Sequence, residues 1–176
     1  MYLRNFTVFA FVAILLMTTT SCQKENSNGT TALSIHLTDN PYNATEVNVD
    51  ITAVRVNFND TDSTNDGGWV NLDTHAGIYN LLDFQNGIDT LIAQAVVPTS
   101  TVKEVRFVLG NQNSITIDSV NYPLTIPSGS ESGLKIKLNK RLNAGVDSLV
   151  VDFDAALSIV QTGTGEYKLK PVLKIK

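Results

Sequence analysis

Few residues in this chain of 176 combine the types and spacing that chemistry requires. Asp152 and Asp154 sit two apart in an alternating run, so both carboxylates leave the same side of a strand, about 7 Å apart. A pair at that separation suits acid–base work on a glycosidic bond. Lysines alternate in the neighbouring runs, however, and a charge-paired sheet face is the simpler reading. Asp60, Asp62, Thr64 and Asp66 alternate in the polar stretch 59–68 and offer oxygen ligands to a hard cation such as calcium. Counted from Asp60 as an EF-hand loop, the positions that need Gly and Glu hold Asn65 and Asn71. A solvated hairpin loop rich in turn formers therefore outweighs a calcium site. His36 and His75 are the two histidines, and neither has metal-like spacing to the other or to an acid pair. The sequence contains no Gly-x-Ser-x-Gly, no His-Glu-x-x-His and no phosphate loop, so no catalytic residue and no cofactor are expected.

Two surface chemistries remain. Trp69, Tyr79, Tyr122 and Tyr167 form a candidate sugar-stacking platform, against the ordinary alternative of core aromatics. Lys135, Lys137, Lys140, Arg141, Lys168, Lys170, Lys174 and Lys176 crowd the last third of the chain. They offer a patch for an anionic glycan or headgroup, or else edge-strand lysines that block aggregation.

The elements that must position these groups are strands. Charged residues are 17% of the chain, below the usual ~25%, and Thr, Ser, Asn, Val and Ile fill the gap. Leu33, Ile35 and Leu37 alternate with polar residues. Val47, Val49 and Ile51 are followed by Val54, Val56 and Phe58, a phase slip at Thr52-Ala53 that predicts a β-bulge. Val105 and Phe107 point inward from a strand over 102–109. Asp118-Ser119 joins two short strands as a hairpin. Gln85-Asn86-Gly87 is a turn, and residues 81–84 fit either a strand or one helical turn. Leu134, Ile136 and Leu138, then Leu149, Val151 and Phe153, make two further strands. Tyr167, Leu169, Leu173 and Ile175 make a last one. The pattern predicts an all-β fold, an antiparallel two-sheet sandwich (immunoglobulin-like or transthyretin-like), with no long helix. If the strands at 134–138 and 149–153 are antiparallel neighbours, Lys137 faces Asp152 and Lys135 faces Asp154, a favourable cross-strand arrangement.

The first residues read as an address. Arg4 precedes a twelve-residue apolar run, 6–17, broken only by Thr7. That is too short to span a bilayer but fits a secretory signal over 1–21. Cys22 is the only cysteine, so it cannot form an internal disulfide. Its place after Thr18-Thr19-Thr20-Ser21 resembles the lipobox of bacterial lipoproteins. That resemblance implies an acylated Cys22 as lipid attachment. The stretch 23–31 has no apolar residue and no periodicity, which predicts a flexible tether over 22–31, and the alternating strands predict one β-sandwich domain over 32–176. Gln23-Lys24-Glu25 is similar to a short surface-export signal of Bacteroidota lipoproteins. Residues 22–176 hold 12 basic and 17 acidic side chains. That balance, without basic clusters interleaved with aromatics, argues against nucleic acid as a partner.

Several ordered motifs resemble the bacterial family catalogued as domain of unknown function 4382, seen in Bacteroidota lipoproteins. They include Leu37-Thr38-Asp39-Asn40-Pro41, Val47-Asn48-Val49-Asp50-Ile51 and Tyr79-Asn80-Leu81-Leu82-Asp83. Further along are Tyr122-Pro123-Leu124, Ser132-Gly133-Leu134-Lys135, Asp152-Phe153-Asp154-Ala155 and Leu169-Lys170-Pro171-Val172. The resemblance covers about 33–175 and implies a lipid-anchored all-β domain with no established reaction. The expectation is an outer-membrane lipoprotein, surface-facing rather than periplasmic, with a binding or structural role toward a glycan or envelope protein. The rival expectations are a metal-dependent or carboxylate hydrolase and an accessory subunit of a larger envelope complex.

Overall fold

Alternation of branched apolar and polar residues makes Thr30–Thr38 a strand, β1, with Leu33, Ile35 and Leu37 almost wholly buried. In the computed structural model the described residues are 29–40, 42–59, 68–127 and 133–176. The strands that follow are β2 (Glu46–Asn57), β3 (Trp69–Asn71), β4 (Asp73–Thr74), β5 (Gly77–Asn80), β6 (Thr90–Pro98) and β7 (Thr101–Leu109). After these come β8 (Ser114–Ile117), β9 (Val120–Thr125), β10 (Leu134–Arg141), β11 (Gly145–Phe153), β12 (Ile159–Gln161), β13 (Tyr167–Leu169) and β14 (Leu173–Ile175). Among the described residues, helix is confined to a 3-10 turn, Leu81–Phe84, and a single α turn, Ala155–Ser158. The 3-10 turn resolves the ambiguity at 81–84, and the Asn80 side chain caps it by accepting from Leu82 N–H.

Two sheets stack face to face. One has the order β14-β11-β1-β6-β4; the other runs β10-β7-β2-β8-β9-β13-β12, with β3 and β5 also on β2. Their inner faces meet in one core. β1, β6 and β11 supply Leu33, Ile35, Leu37, Ile92, Leu149, Val151 and Phe153, while β2 and β7 supply Val47, Val49, Ile51, Val54, Val56, Val105 and Phe107. This is the expected all-β sandwich, but its sheets are mixed. β1 pairs β11 in parallel, Leu37 beside Val151, and β9 pairs β13 in parallel. A parallel pair needs a long crossover between its strands. More than a hundred residues separate β1 from β11, so no local turn signal marks the pairing.

The slip in β2 is a bulge: its register with β7 shifts between Ile51 and Ala53, leaving Thr52 exposed and Val54 buried. The β8–β9 hairpin turns at Asp118 (φ 49°) and Ser119 (φ 67°), both left-handed, as the two-residue connection requires. Asn86 (φ 57°) and Gly87 (φ 87°) make the expected turn after Phe84. β1 starts two residues before the expected domain boundary of 32. Thr31 is buried, its hydroxyl donating to the Asn143 carbonyl at 2.8 Å and lying 2.9 Å from Thr99 Oγ1.

Two expectations are corrected. The lysine strand β10 does not pair β11; it pairs β7, with Lys137 opposite Glu104 and Lys135 opposite Arg106. The last apolar run is two strands, not one. β13 joins the second sheet and β14 the first, because Lys170 N–H turns aside to the Ser158 carbonyl and Pro171 has no N–H to continue a ladder.

Candidate functional site

Asp152 and Asp154 lie at the C-terminal end of β11, beside the end of β1, both almost fully buried. Asp39 joins them from the residue that follows β1, and the Asn40 amide donates to Asp152 Oδ2 at 2.9 Å and to Asp154 Oδ2 at 3.4 Å. The lysine partners are Lys174, 3.0 Å from Asp154, and Lys176, 3.5 Å from Asp152. Both come from the β14 edge, so the charge-paired face exists with other lysines than Lys135 and Lys137. Asp154 Oδ1 also accepts from Leu157 N–H at 3.1 Å and caps the α turn. Asp39 Oδ1 accepts from Ala155 N–H at 2.9 Å, and its Oδ2 from the Gln85 amide at 3.3 Å.

The electrostatics follow from these contacts. Burial pushes the Asp39 carboxyl up, although the hydrogen bonds from Ala155, Gln85 and Asn40 oppose it. Burial also acts upward on Asp154, but there the Lys174 ammonium and the Leu157 N–H win, and its pKa is lowered. Two lysines against three carboxylates, 2 − 3, give the cluster a formal charge of −1. Five of its six carboxylate oxygens tie β1, β11, β14 and the α turn together, which makes it a latch between strand ends, while Asp152 Oδ1 is buried with no hydrogen-bond partner among the described residues. Among the described residues no group of three or more His, Cys, Asp or Glu is arranged to hold a metal ion. The candidate calcium ligands Asp60, Asp62 and Asp66, and the lipid-attachment residue Cys22, lie outside the described residues.

The other sequence candidates separate. His36 Nδ1 lies 2.6 Å from Asp89 Oδ1 on the outer face of the first sheet, an acid partner that chain spacing did not reveal. His75 contributes backbone: its N–H donates to the Ile92 carbonyl and its carbonyl accepts from the Tyr79 hydroxyl. The eight basic residues do not make one patch. Lys174 and Lys176 serve the latch, Lys140 lies 3.6 Å from Asp147, and Lys135 and Lys137 project from β10. Trp69 lies against the Arg106 guanidinium, 4.1 Å from ring centroid to Cζ, and Tyr79 packs on Phe84.

Tyr122 and Tyr167 do come together, with ring centroids 5.0 Å apart and ring planes tilted by 53°. The parallel β9–β13 pairing, with Tyr167 beside Leu124, causes this. Both residues are partly buried, packed against the core. They border a hollow of about 240 Å³ with Thr125, Thr164 and Glu166. A second hollow, about 490 Å³, shares Pro123 and Thr125 with it and extends to Asn111 and Asn113. The second lies in the usual range for ligand pockets and the first just below it. Tyr42 lies near Tyr167: burial, and next the neighbouring Tyr167, push its phenol up from the ordinary tyrosine value. Nothing in the sequence marks Tyr42 apart from its place just after Asp39-Asn40-Pro41. The cleft thus offers two tilted aromatic faces, a carboxylate (Glu166), two hydroxyls and an exposed amide (Asn111), the groups that hold apolar and hydroxylated faces of one ligand.

A family model described as Domain of unknown function (DUF4382) matches residues 30–171. No curated protein and no solved structure matches the chain.

Proposed function

The chain belongs to the DUF4382 family, and from that premise we propose that it is a non-catalytic, lipid-anchored sandwich of the outer membrane that binds a glycan in the Tyr122–Tyr167 cleft. The observation that carries this reading is the tyrosine pair lining one hollow that adjoins a second through Pro123 and Thr125, with polar groups at their rims. Sugar rings present C–H faces that stack on aromatics and hydroxyls that pair with carboxylate, amide and hydroxyl groups. The acidic latch supports binding over catalysis, because its carboxylates are already held by lysines and backbone N–H groups.

The anchor rests on the sequence alone: a short apolar signal, four small hydroxyl residues, then Cys22. One acyl chain binds a membrane marginally and two or more bind firmly. Among the described residues no helix is long and apolar enough to cross a membrane. The protein faces the cell surface, where Gln23-Lys24-Glu25 directs it.

Affinity electrophoresis against a panel of soluble polysaccharides tests the cleft. Wild-type chain is retarded by at least one glycan, and Tyr122→Ala with Tyr167→Ala abolishes the retardation while melting stays cooperative. A wild type that no glycan retards, paired with a protein captured by crosslinking at the same cleft, would replace this reading with the accessory-subunit one. Mass spectrometry of chain purified from envelopes tests the anchor. Cys22 should carry acyl mass, and Cys22→Ser should release the protein to the soluble fraction.

A further inference from the structure

The two most exposed large apolar side chains among the described residues are Val146, 74% exposed, and Val96, 73% exposed. They are not scattered. Ala32 of β1 pairs with Val146 of β11 on one side and with Val96 of β6 on the other. The three therefore form one apolar row across the outer face of the first sheet. The next row along the same strands is polar, Ser148–Ser34–Gln94. A hollow of about 430 Å³ lies over both rows. Its rim includes the single acid Asp73, which pairs Gln94 and so stands with the polar row.

The position of the row within the fold gives it a meaning. Gly29, Thr99, Ser100, Leu142 and Asn143 converge at one pole, linked by Thr99 N–H to the Gly29 carbonyl, Leu142 N–H to the Ser100 carbonyl and Thr31 to the Asn143 carbonyl. The apolar row is the second outward-facing row from that pole, next to the exposed Thr30–Pro98 pair. Exposed Arg141 lies at the same pole, at the end of β10. The Tyr122–Tyr167 cleft and the β8–β9 hairpin lie at the other end, because β8 pairs the beginning of β2 and runs past it. Gly29 is seven residues from Cys22, a reach of at most about 25 Å at full extension. A lipid anchor at Cys22 would hold this pole within that distance of the leaflet. Tethering raises the local concentration of the surface, so even a small apolar row with a cation beside it suffices for contact.

We propose that the Val146–Ala32–Val96 row, with Arg141, is a membrane-docking surface that seats the anchored domain on the lipid leaflet. The glycan cleft then points away from the membrane. This inference rests on acylation of Cys22.

The test uses full-length acylated chain in vesicles of phosphatidylethanolamine and phosphatidylglycerol, with an environment-sensitive fluorophore on an introduced cysteine. The positions are Val146→Cys and Val96→Cys in the row, and Val120→Cys, an exposed valine in the β8–β9 hairpin, at the far pole. Flotation reports the anchor and the fluorophore reports the face. The expected result is co-flotation, with blue-shifted emission and quenching by headgroup-region nitroxide lipid at 96 and 146 but not at 120, since interfacial apolar faces insert about 5–10 Å. Co-flotation with all three probes in water, or all three quenched, overturns the docking surface and leaves the anchor standing. Failure to float overturns both.

Discussion

Asn40 Nδ2 lies 2.9 Å from Asp152 Oδ2, joining residues 112 apart in sequence at the shared end of two parallel strands. The contact makes a buried carboxylate tolerable. Asp152 is 3% exposed, and the half-exposed ammonium of Lys176 also lies against it, 3.5 Å from Oδ2. An unpaired buried charge is costly, so the amide stabilises by preventing a penalty more than by adding an attraction.

Asn40→Ala should therefore destabilise the domain by about 2 kcal/mol, the scale of a hydrogen bond to a charged group. Urea unfolding followed by Trp69 fluorescence checks it. An unchanged midpoint would mean that water or Lys176 takes the place of the amide.

Lys174→Met removes the ammonium from Asp154 and keeps the aliphatic stem. Lys174 is 53% exposed, so screening reduces its worth to about 1 kcal/mol or less. The loss should shrink in high salt, where the wild-type pair is itself weakened. A loss independent of salt would point to packing of the stem on β11.

The latch also predicts a pH response in two directions. Burial makes Asp39 hold its proton more readily folded than unfolded, above its ordinary value of 3.8. As pH falls from neutral toward that value, the folded state takes up the proton first, and stability should rise. Asp154 and Asp147 act in the opposite sense. Burial works against their charged forms, but Lys174 and Leu157 N–H for the one, and Asn143 and Ser148 N–H for the other, hold them below 3.8. Their contribution is complete above 3.8 and is lost as pH falls below it. Unfolding midpoints from about pH 7 to about pH 3 should pass through a mildly acidic maximum. Asp39→Asn, which cannot titrate, should flatten the rise and leave the acid-side fall intact. A rise that persists in Asp39→Asn assigns it to another carboxyl.

What the sequence made legible was local. Alternation gave the phases of β1, β7 and β11, the hairpin at Asp118-Ser119 and the turn at Asn86-Gly87, because period-two burial and left-handed turn residues are written within a few positions. Partner choice was not legible. Lys135 and Lys137 match Asp152 and Asp154 in charge and spacing as well as Lys174 and Lys176 do, and cross-strand charge pairs are too weak and too common to select between them. Tyr167, Leu169, Leu173 and Ile175 share one parity, so their run reads as one strand although Pro171 divides it between sheets. The residue types of Tyr122 and Tyr167 make them candidates, but only the parallel β9–β13 contact brings them together and sets Trp69 and Tyr79 apart.

The bulge in β2 is the one long-range feature that the sequence wrote explicitly, and it can be tested by deletion. Without Thr52, Val47, Val49, Ile51, Val54 and Val56 fall into unbroken alternation, and Ala53 keeps its place opposite Val108 of β7. Every inward side chain stays inward. The costs are the bulge's extra twist, the 3.1 Å hydrogen bond from Thr52 Oγ1 to the Val108 carbonyl, and a shortened gap between β5 and β3 on the other edge of β2. The Leu72–Thr74 corner fills that gap, held by Leu72 N–H to the Val54 carbonyl and Val54 N–H to Thr74 Oγ1, and must shift. The Thr52 deletion should fold cooperatively with a loss of about 1–3 kcal/mol. Deletion of Arg55 instead sets Val54 and Val56 side by side and turns Val56 out of the core, a flip that a strand cannot absorb. That variant should fail to give a cooperative transition. Equal behaviour of the two deletions would show that side-chain phase does not set the register of β2, since phase is the only respect in which one preserves the core and the other breaks it.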